Sequence, residues 1–317
     1  MSELLRVNHL KKYFKTHSGE LHAVDDVTFG IEEGTTLGVV GESGCGKSTL
    51  GRTILRMHEP TSGEIIYKGE CINDKSKRES KLLRRDMQMI FQDPYESIDP
   101  RMSISTIIAE PLICHHIYSD KKQMDAKVEE LMDTVGIAPR LATSFPHELD
   151  GGRRQRVGIA RALALNPQFI VCDEPVSALD VSIQAQVLNL LQDLQEQKKL
   201  TYLFITHNLS VVRHIAKRIC VMYLGQVVEL CEKKELFDNT LHPYTQALLS
   251  AIPIPSTINR RERIILEGEL TSPINPKPGC RFASRCRYAK KECFAETPEL
   301  RDVGNEHYVA CHFAGEC

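Results

Sequence analysis

Apolar residues along this chain fall into short unbroken runs that alternate with longer stretches at helical spacing. Thr36-Leu37-Gly38-Val39-Val40 is uncharged, mostly apolar and too short for a helix, which predicts a buried strand, with Gly34 marking the turn before it. Leu50, Ile54 and Leu55 then recur at helical spacing. Val24-Asp25-Asp26-Val27-Thr28-Phe29 alternates like a half-buried strand; residues 64–67, followed by Gly69, and 87–91, ending in Gln92, are two more strand candidates. Residues 103–135 predict helices with Leu131, Met132 and Val135 on one face, and residues 153–165 a helix that Asn166-Pro167 stops. Phe169-Ile170-Val171-Cys172 predicts a fully buried strand ending in acid. Residues 181–195 place Val187, Leu188, Leu191 and Leu194 along one helical stripe, and residues 202–205 predict one more buried strand.

The alternation predicts an α/β core with a largely parallel sheet, interrupted by a helical subdomain at residues 100–165. Near residue 252 the texture changes. Ile252-Pro253-Ile254-Pro255, then Pro273, Pro276 and Pro278, break regular structure and predict a linker into a small C-terminal module. The expected division is therefore 1–250 and 251–317, with no internal repeat. Lys77, Arg78, Lys81, Arg84 and Arg85 read as a solvated helix face.

Composition narrows the function classes. A chain of 317 residues holds one large domain, or a large and a small one. A formal charge of -2 removes any global nucleic-acid signal. No apolar stretch is long enough to span a bilayer, and no apolar signal segment opens the chain, so a cytosolic product is expected and a transport role would need separate membrane subunits. Of eleven cysteines, Cys45, Cys71, Cys114, Cys172, Cys220 and Cys231 are scattered and read as buried small hydrophobes. Cys280, Cys286, Cys293, Cys311 and Cys317 cluster at the C-terminus, where a reducing compartment favours a metal or an iron-sulfur cluster over disulfides. Four thiolates suit either zinc or a cluster, and the spacing leaves the choice open. Arg281, Arg285, Arg287, Lys290 and Lys291 either balance thiolate charge or are simply solvated.

The strongest chemical signal is Gly41-Glu42-Ser43-Gly44-Cys45-Gly46-Lys47-Ser48, a phosphate-binding loop set between a strand and a helix. Its glycines let the backbone close on oxygens, and its amides and the new helix's N-terminus face phosphates. Lys47 reaches the beta and gamma phosphates; Ser48, with Thr49 beside it, ligates Mg2+. Asp173 and Glu174 end an apolar strand, where open α/β sheets place their ligand crevice: Asp173 for magnesium, Glu174 for the attacking water. Gln92 and His207 each follow a strand and become candidates for magnesium or water placement and for the gamma phosphate.

As a set, these motifs resemble the nucleotide-binding subunit of ATP-binding-cassette (ABC) transporters over most of residues 4–235. The resemblance implies a P-loop NTPase with a mixed β subdomain, a helical subdomain and a small cysteine-rich C-terminal module. It implies Gln92 as the glutamine loop, Ser177-Ala178-Leu179-Asp180 as the segment ending in Asp180, His207 as the switch histidine, and an aromatic that stacks on adenine, Phe14 or the adjacent Tyr13. The family's signature, usually Leu-Ser-Gly-Gly-Gln, falls at Leu149-Asp150-Gly151-Gly152-Arg153. Asp150 thus stands for a serine that would face the nucleotide of the opposite subunit, and an ionised carboxylate has acceptors only. Either two unequal composite sites follow, or the change is tolerated because the helix-end amides still hold the phosphate; Arg153 compensates locally by pairing with Asp150 or with phosphate.

His242-Pro243-Tyr244-Thr245, Leu248-Leu249 and Gly279-Cys280-Arg281-Phe282 resemble the tail of oligopeptide and dipeptide transporter ATPases, and Lys12-Tyr13-Phe14 resembles the F-type of their paired D and F subunits. That resemblance implies a [4Fe-4S] cluster on Cys280, Cys286, Cys293 and Cys311, with Zn2+ as the alternative. It also implies two transmembrane permeases, a second related ATPase, an extracellular peptide-binding protein and a position on the cytoplasmic side of the cell membrane, with no nucleic-acid partner. A nickel or other solute importer is the near alternative. A soluble clamp on ribosomes or DNA is the distant one, disfavoured by a single motif set and balanced charge.

Overall fold

The computed structural model describes residues 2–93, 98–252, 263–268 and 272–316. Pro253, Ile254, Pro255 and Cys317, singled out above, lie outside them. The chain forms two compact units: Met1–Glu32, Thr36–Asp74 and Phe204–Cys317 make one; Glu33–Thr35 and Lys75–Leu203 make the other.

In the first unit, β1 (Glu3–Thr16) and β2 (Gly19–Glu32) form a long antiparallel hairpin, extended by β4 (Ser62–Tyr67) and β5 (Glu70–Cys71) in the order β2-β1-β4-β5. Their alternation buries Leu5, Val7, Leu10, Val27, Phe29, Ile31 and Ile65 on one side. β3 (Thr36–Val40), buried at all five positions, runs parallel to β9 (Arg218–Tyr223). β10 (Gln226–Glu232) returns antiparallel to β9 through Leu224-Gly225, both at positive φ as a tight hairpin requires. The short β12 (Tyr308–Val309) and β11 (Arg301–Asp302) continue that sheet antiparallel, so the unit's sheet is mixed rather than largely parallel.

Among the described residues five helices complete the unit: α1 (Lys47–Ile54), α7 (Leu209–Ile215), α8 (Lys233–Asp238), α9 (Pro243–Ser250) and α10 (Lys291–Ala295). Val40, Val212, Val221, Tyr223, Tyr244 and Leu249 form one core with Phe282, and Cys280 and Cys286 pack against it. The residues after 272 are therefore bound into this unit. The His22 amide donates to the Pro273 carbonyl at 3.0 Å, and the Glu20 amide to Asn275 Oδ1 at 2.9 Å.

In the second unit, β6 (Met87–Ile90) pairs in parallel with β7 (Phe169–Asp173). The helices are α2 (Lys77–Asp86), α3 (Ile104–Cys114), α4 (Lys121–Thr134), α5 (Gly151–Leu163) and α6 (Val181–Lys198). Ser76 and Glu79 form a capping box on α2, whose outward residues are exposed, as a charged helix face requires. Asn166, in the left-handed region at φ 51, follows the end of α5. β8 (Thr201–Thr206) is buried throughout, and the chain passes from the second unit to the first within it.

Two scattered cysteines depart from the expected burial. Cys71 is exposed because β5 is a two-residue edge strand, and Cys114 because it ends α3, whereas Cys45, Cys172, Cys220 and Cys231 are buried.

Candidate functional site

β3 runs straight into the glycine-rich loop, and the loop ends at Gly46, the N-cap of α1. Gly46 sits at φ 102 and offers no side-chain acceptor, so the first-turn amides of α1 carry no side-chain cap and keep their donors for an anion. Lys47 is 4% exposed. Its ammonium donates to the carbonyls of Gly41 and Glu42, both at 2.8 Å, and lies 3.7 Å from Cys45 Sγ. Reaching a phosphate therefore exchanges one of those loop bonds for a charge-assisted one. Burial pushes the Cys45 thiol up, which makes it a packing residue of the loop. Ser43 and Gly44 form the exposed tip, with Ser48 and Thr49 half-buried in the first turn of α1.

The two aromatic candidates are not equivalent. The Tyr13 ring stacks on His22 with centroids 3.8 Å apart, and its hydroxyl donates to Asp25. Phe14 is half-buried and meets His58 only edge-on at 5.5 Å, with the Lys12 ammonium 4.8 Å from its centroid. Tyr13 is thus committed to Asp25, and Phe14 is not. Burial works against the charge of Asp25, yet the Tyr13 hydroxyl and the Arg281 guanidinium hold its carboxyl below the usual range. His207 is exposed just after β8, where Asn208 caps α7 by accepting from the Ser210 amide at 2.9 Å.

In the second unit, Asp173 is the buried last residue of β7, and Glu174 follows at φ 44. A left-handed glutamate is strained, and strain of this kind concentrates at functional positions. Gln92 Nε2 donates to Glu174 Oε2 at 3.4 Å, so the structure brings these two candidates together. Asp150 caps α5: its carboxylate accepts from the Arg153 amide at 2.8 Å and pairs with the Arg153 guanidinium at 3.4 Å. The aspartate thus keeps the capping role a serine would have and finds the expected partner in Arg153. A Cβ on Gly152 would lie 2.5 Å from Ile183, so this glycine is needed for packing as well as for any contact to phosphate. Asp180 stands exposed at the N-cap position of α6 and makes no side-chain capping bond there.

The four C-terminal cysteines line one small cavity of ≈ 20 Å³ together with His242, Phe282, Tyr288 and His312. Burial first, then the neighbouring thiols, pushes Cys280 up to about 11, and burial raises Cys286 as well. Among the described residues, no three of His, Cys, Asp or Glu stand close enough together to hold one metal ion. Arg281 and Arg285 are neither solvated nor thiolate partners: their side chains, 8% and 10% exposed, pair with Asp25 and Glu42. Neither pair is readable from sequence, because each joins residues more than two hundred positions apart.

His242-Pro243-Tyr244-Thr245 acquires a physical role. His242 Nδ1 accepts from the Tyr244 amide at 3.1 Å and caps α9, and the Tyr244 hydroxyl accepts from the Glu42 amide of the loop at 2.9 Å. Burial lowers the His242 pKa to about 4. The neutral ring is therefore the folded form. Its stabilisation is complete above the unfolded value and is lost as pH falls from about 6.5 toward about 4. The stability difference between the native chain and His242→Asn is expected to shrink by about 2 kcal/mol between about pH 7.5 and about pH 5. Urea unfolding at both pH values measures it, and a pH-independent difference would refute the buried neutral ring.

The ABC transporter family model matches residues 24–177, and the model of the oligopeptide/dipeptide transporter C-terminal region matches residues 228–293, which hold three of the four cavity cysteines. The oligopeptide transport ATP-binding protein AppF of Bacillus subtilis (strain 168) is 52% identical over 98% of this chain and 97% of its own length. The oligopeptide transport ATP-binding protein OppF of Haemophilus influenzae is 49% identical over 97% of this chain and 96% of its own. Among solved structures, the ATP-binding cassette MJ0796, dimeric in a post-hydrolysis state bound to ADP and Pi, is 29% identical over 73% of this chain and 99% of its own, with a TM-score of 0.66. Loop, acid pair and C-terminal segment thus stand in one continuous, nearly full-length match, and the chain belongs to the ABC transporter family of ATP-binding subunits, in the branch that carries the oligopeptide/dipeptide transporter C-terminal region.

Proposed function

We propose that this chain is the ATP-hydrolysing subunit that powers import of oligopeptides or dipeptides through a membrane ABC transporter. The observation that carries the reading is the continuous similarity to oligopeptide transport ATP-binding proteins over 98% of the chain, C-terminal region included. The loop Gly41–Ser48 and Thr49 hold the triphosphate, with Lys47 on its terminal phosphates and Phe14 against adenine. Ser48, Asp173 and Gln92 hold magnesium, which supplies charge neutralisation on the phosphates. Glu174 orients and polarises the attacking water, and His207 reads the gamma phosphate. Asp150, Gly151 and Gly152 cap the nucleotide of a second, related ATPase, and Asp180 belongs to the same dimer face.

Among the described residues no helix is long and apolar enough to cross a membrane. The similarity to oligopeptide transport ATP-binding proteins supports separate permease subunits, with this chain on their cytoplasmic side. An extracellular binding protein delivers the peptide to them.

Cys280, Cys286, Cys293 and Cys311 would hold a [4Fe-4S] cluster. Four thiols around one cavity fit that donor set. Zinc is the weaker alternative, because its four ligands must converge on one ion at about 2.3 Å. Anaerobic native purification from membranes, with mass spectrometry of the partners and iron and sulfide assays, tests the whole reading. Two permeases, a second peptide-type ATPase and equal iron and acid-labile sulfide are expected. Nucleotide trapping on that complex shows whether its two sites turn over unequally, as Asp150 implies. Ribosomal or DNA-repair proteins with no permease would overturn transport, and stoichiometric zinc without sulfide would overturn the cluster.

A further inference from the structure

Between the cavity cysteines runs Cys280-Arg281-Phe282-Ala283-Ser284-Arg285-Cys286, and both arginines turn toward the phosphate loop. Arg285 Nη1 lies 2.9 Å from the Glu42 carboxylate and 3.4 Å from the Tyr223 hydroxyl. Glu42 is then held at three atoms: its carboxylate by Arg285, its amide by the Tyr244 hydroxyl at 2.9 Å, and its carbonyl by Lys47 at 2.8 Å. Arg281 reaches the loop by a second route. It bonds Asp25 and the Leu224 carbonyl; the Asp25 amide donates to Gly225, and the Gly225 amide donates to Cys45 of the loop, both at 2.8 Å. Phe282, 2% exposed, fixes the base of both arginines against Tyr223 and Tyr244, with centroids 5.3 and 5.4 Å away.

We propose that Arg285 is a positioning residue of the nucleotide site: through Glu42 it holds the phosphate loop in its binding form, which makes the C-terminal segment a working part of that site. The proposal rests on reading the loop as the ATP site. Arg285 acts at one remove from the nucleotide, and its charge matters in a definite sense. Glu42 is a carboxylate in an anion-binding loop, and an unpaired one repels the triphosphate. Paired with Arg285, it is neutralised and anchored.

The test is equilibrium titration of a fluorescent ATP analogue with magnesium, on the full chain in its purified transporter complex. Arg285→Ala is expected to raise the dissociation constant about tenfold. Adding Glu42→Gln to Arg285→Ala is expected to recover part of that loss, because it removes the stranded carboxylate. A loss that stays equal or deepens in the double variant would overturn the proposal, as would an unchanged affinity for Arg285→Ala. Glu42→Lys keeps the test decisive if Arg285→Ala fails to fold. A lysine here brings positive charge toward the phosphates, which by attraction alone tightens binding, but it also repels Arg285 and frees the loop. Weaker binding supports the anchor, and tighter or unchanged binding refutes it. If the unsubstituted complex binds no nucleotide, the reading of the loop falls and the proposal with it; if it binds but the double variant shows no recovery, only the proposal falls.

Discussion

Glu174→Gln is expected to lower ATP turnover by about 10²–10⁴-fold while leaving nucleotide binding near its native value. The reasoning starts from position. β7 is buried at every residue, so its end is fixed, and Glu174 leaves it at φ 44 with its side chain 3.4 Å from the Gln92 amide nitrogen. A bond of that length is a weak one for a carboxylate. Glutamine keeps the size and one acceptor oxygen but loses the charge that polarises the water, and phosphoryl transfer depends on positioning and charge more than on covalent help. Steady-state phosphate release from the purified complex, beside titration of a fluorescent nucleotide, separates the two effects. Turnover within a few-fold of native would remove Glu174 from the reaction. Loss of both binding and turnover would mean that the substitution disturbed the strained turn instead.

Legibility in the sequence followed burial. β3, β7 and β8 are covered on both faces, so they appear as unbroken apolar runs and were expected almost to the residue. Of the β1–β2 hairpin only residues 24–29 read as a strand, because the register shifts between Val7 and Leu10 and between Lys12 and Tyr13 interrupt the alternation. The β9–β10 hairpin was missed, since its turn places Leu224 at positive φ, a position that a leucine does not announce. The phosphate loop was legible because its chemistry demands a contiguous motif. Arg285 was not, because it lies in a basic run that reads either as thiolate charge balance or as solvated, and its partner Glu42 is 243 residues away. Pairings of that range are decided by the fold, and in this chain the fold joins the two segments that sequence reasoning kept apart.

The loop glycines give the second large effect, and they divide in a way the motif does not reveal. Gly44→Ala and Gly46→Ala make the same chemical change two positions apart, each at positive φ, 78 and 102. Both bear the left-handed penalty of about 1–2 kcal/mol. Around Gly44 a Cβ would meet nothing within 4 Å, so its cost ends there. At Gly46 a Cβ would fall 1.9 Å from the Ala23 carbonyl, a backbone atom of β2 that cannot swing aside like a side chain. Either β2 or the start of α1 must move, and α1 carries the amides and Lys47. Gly46→Ala is therefore expected to abolish nucleotide binding and to lower stability by about 3 kcal/mol or more, against about 1 kcal/mol and a few-fold in affinity for Gly44→Ala. Urea midpoints and nucleotide titrations of the two variants make the comparison. Equal behaviour would mean that the close approach of Ala23 does not constrain the loop. A large gap would show that the second glycine of the motif is required by the strand beneath the loop as well as by the phosphate above it.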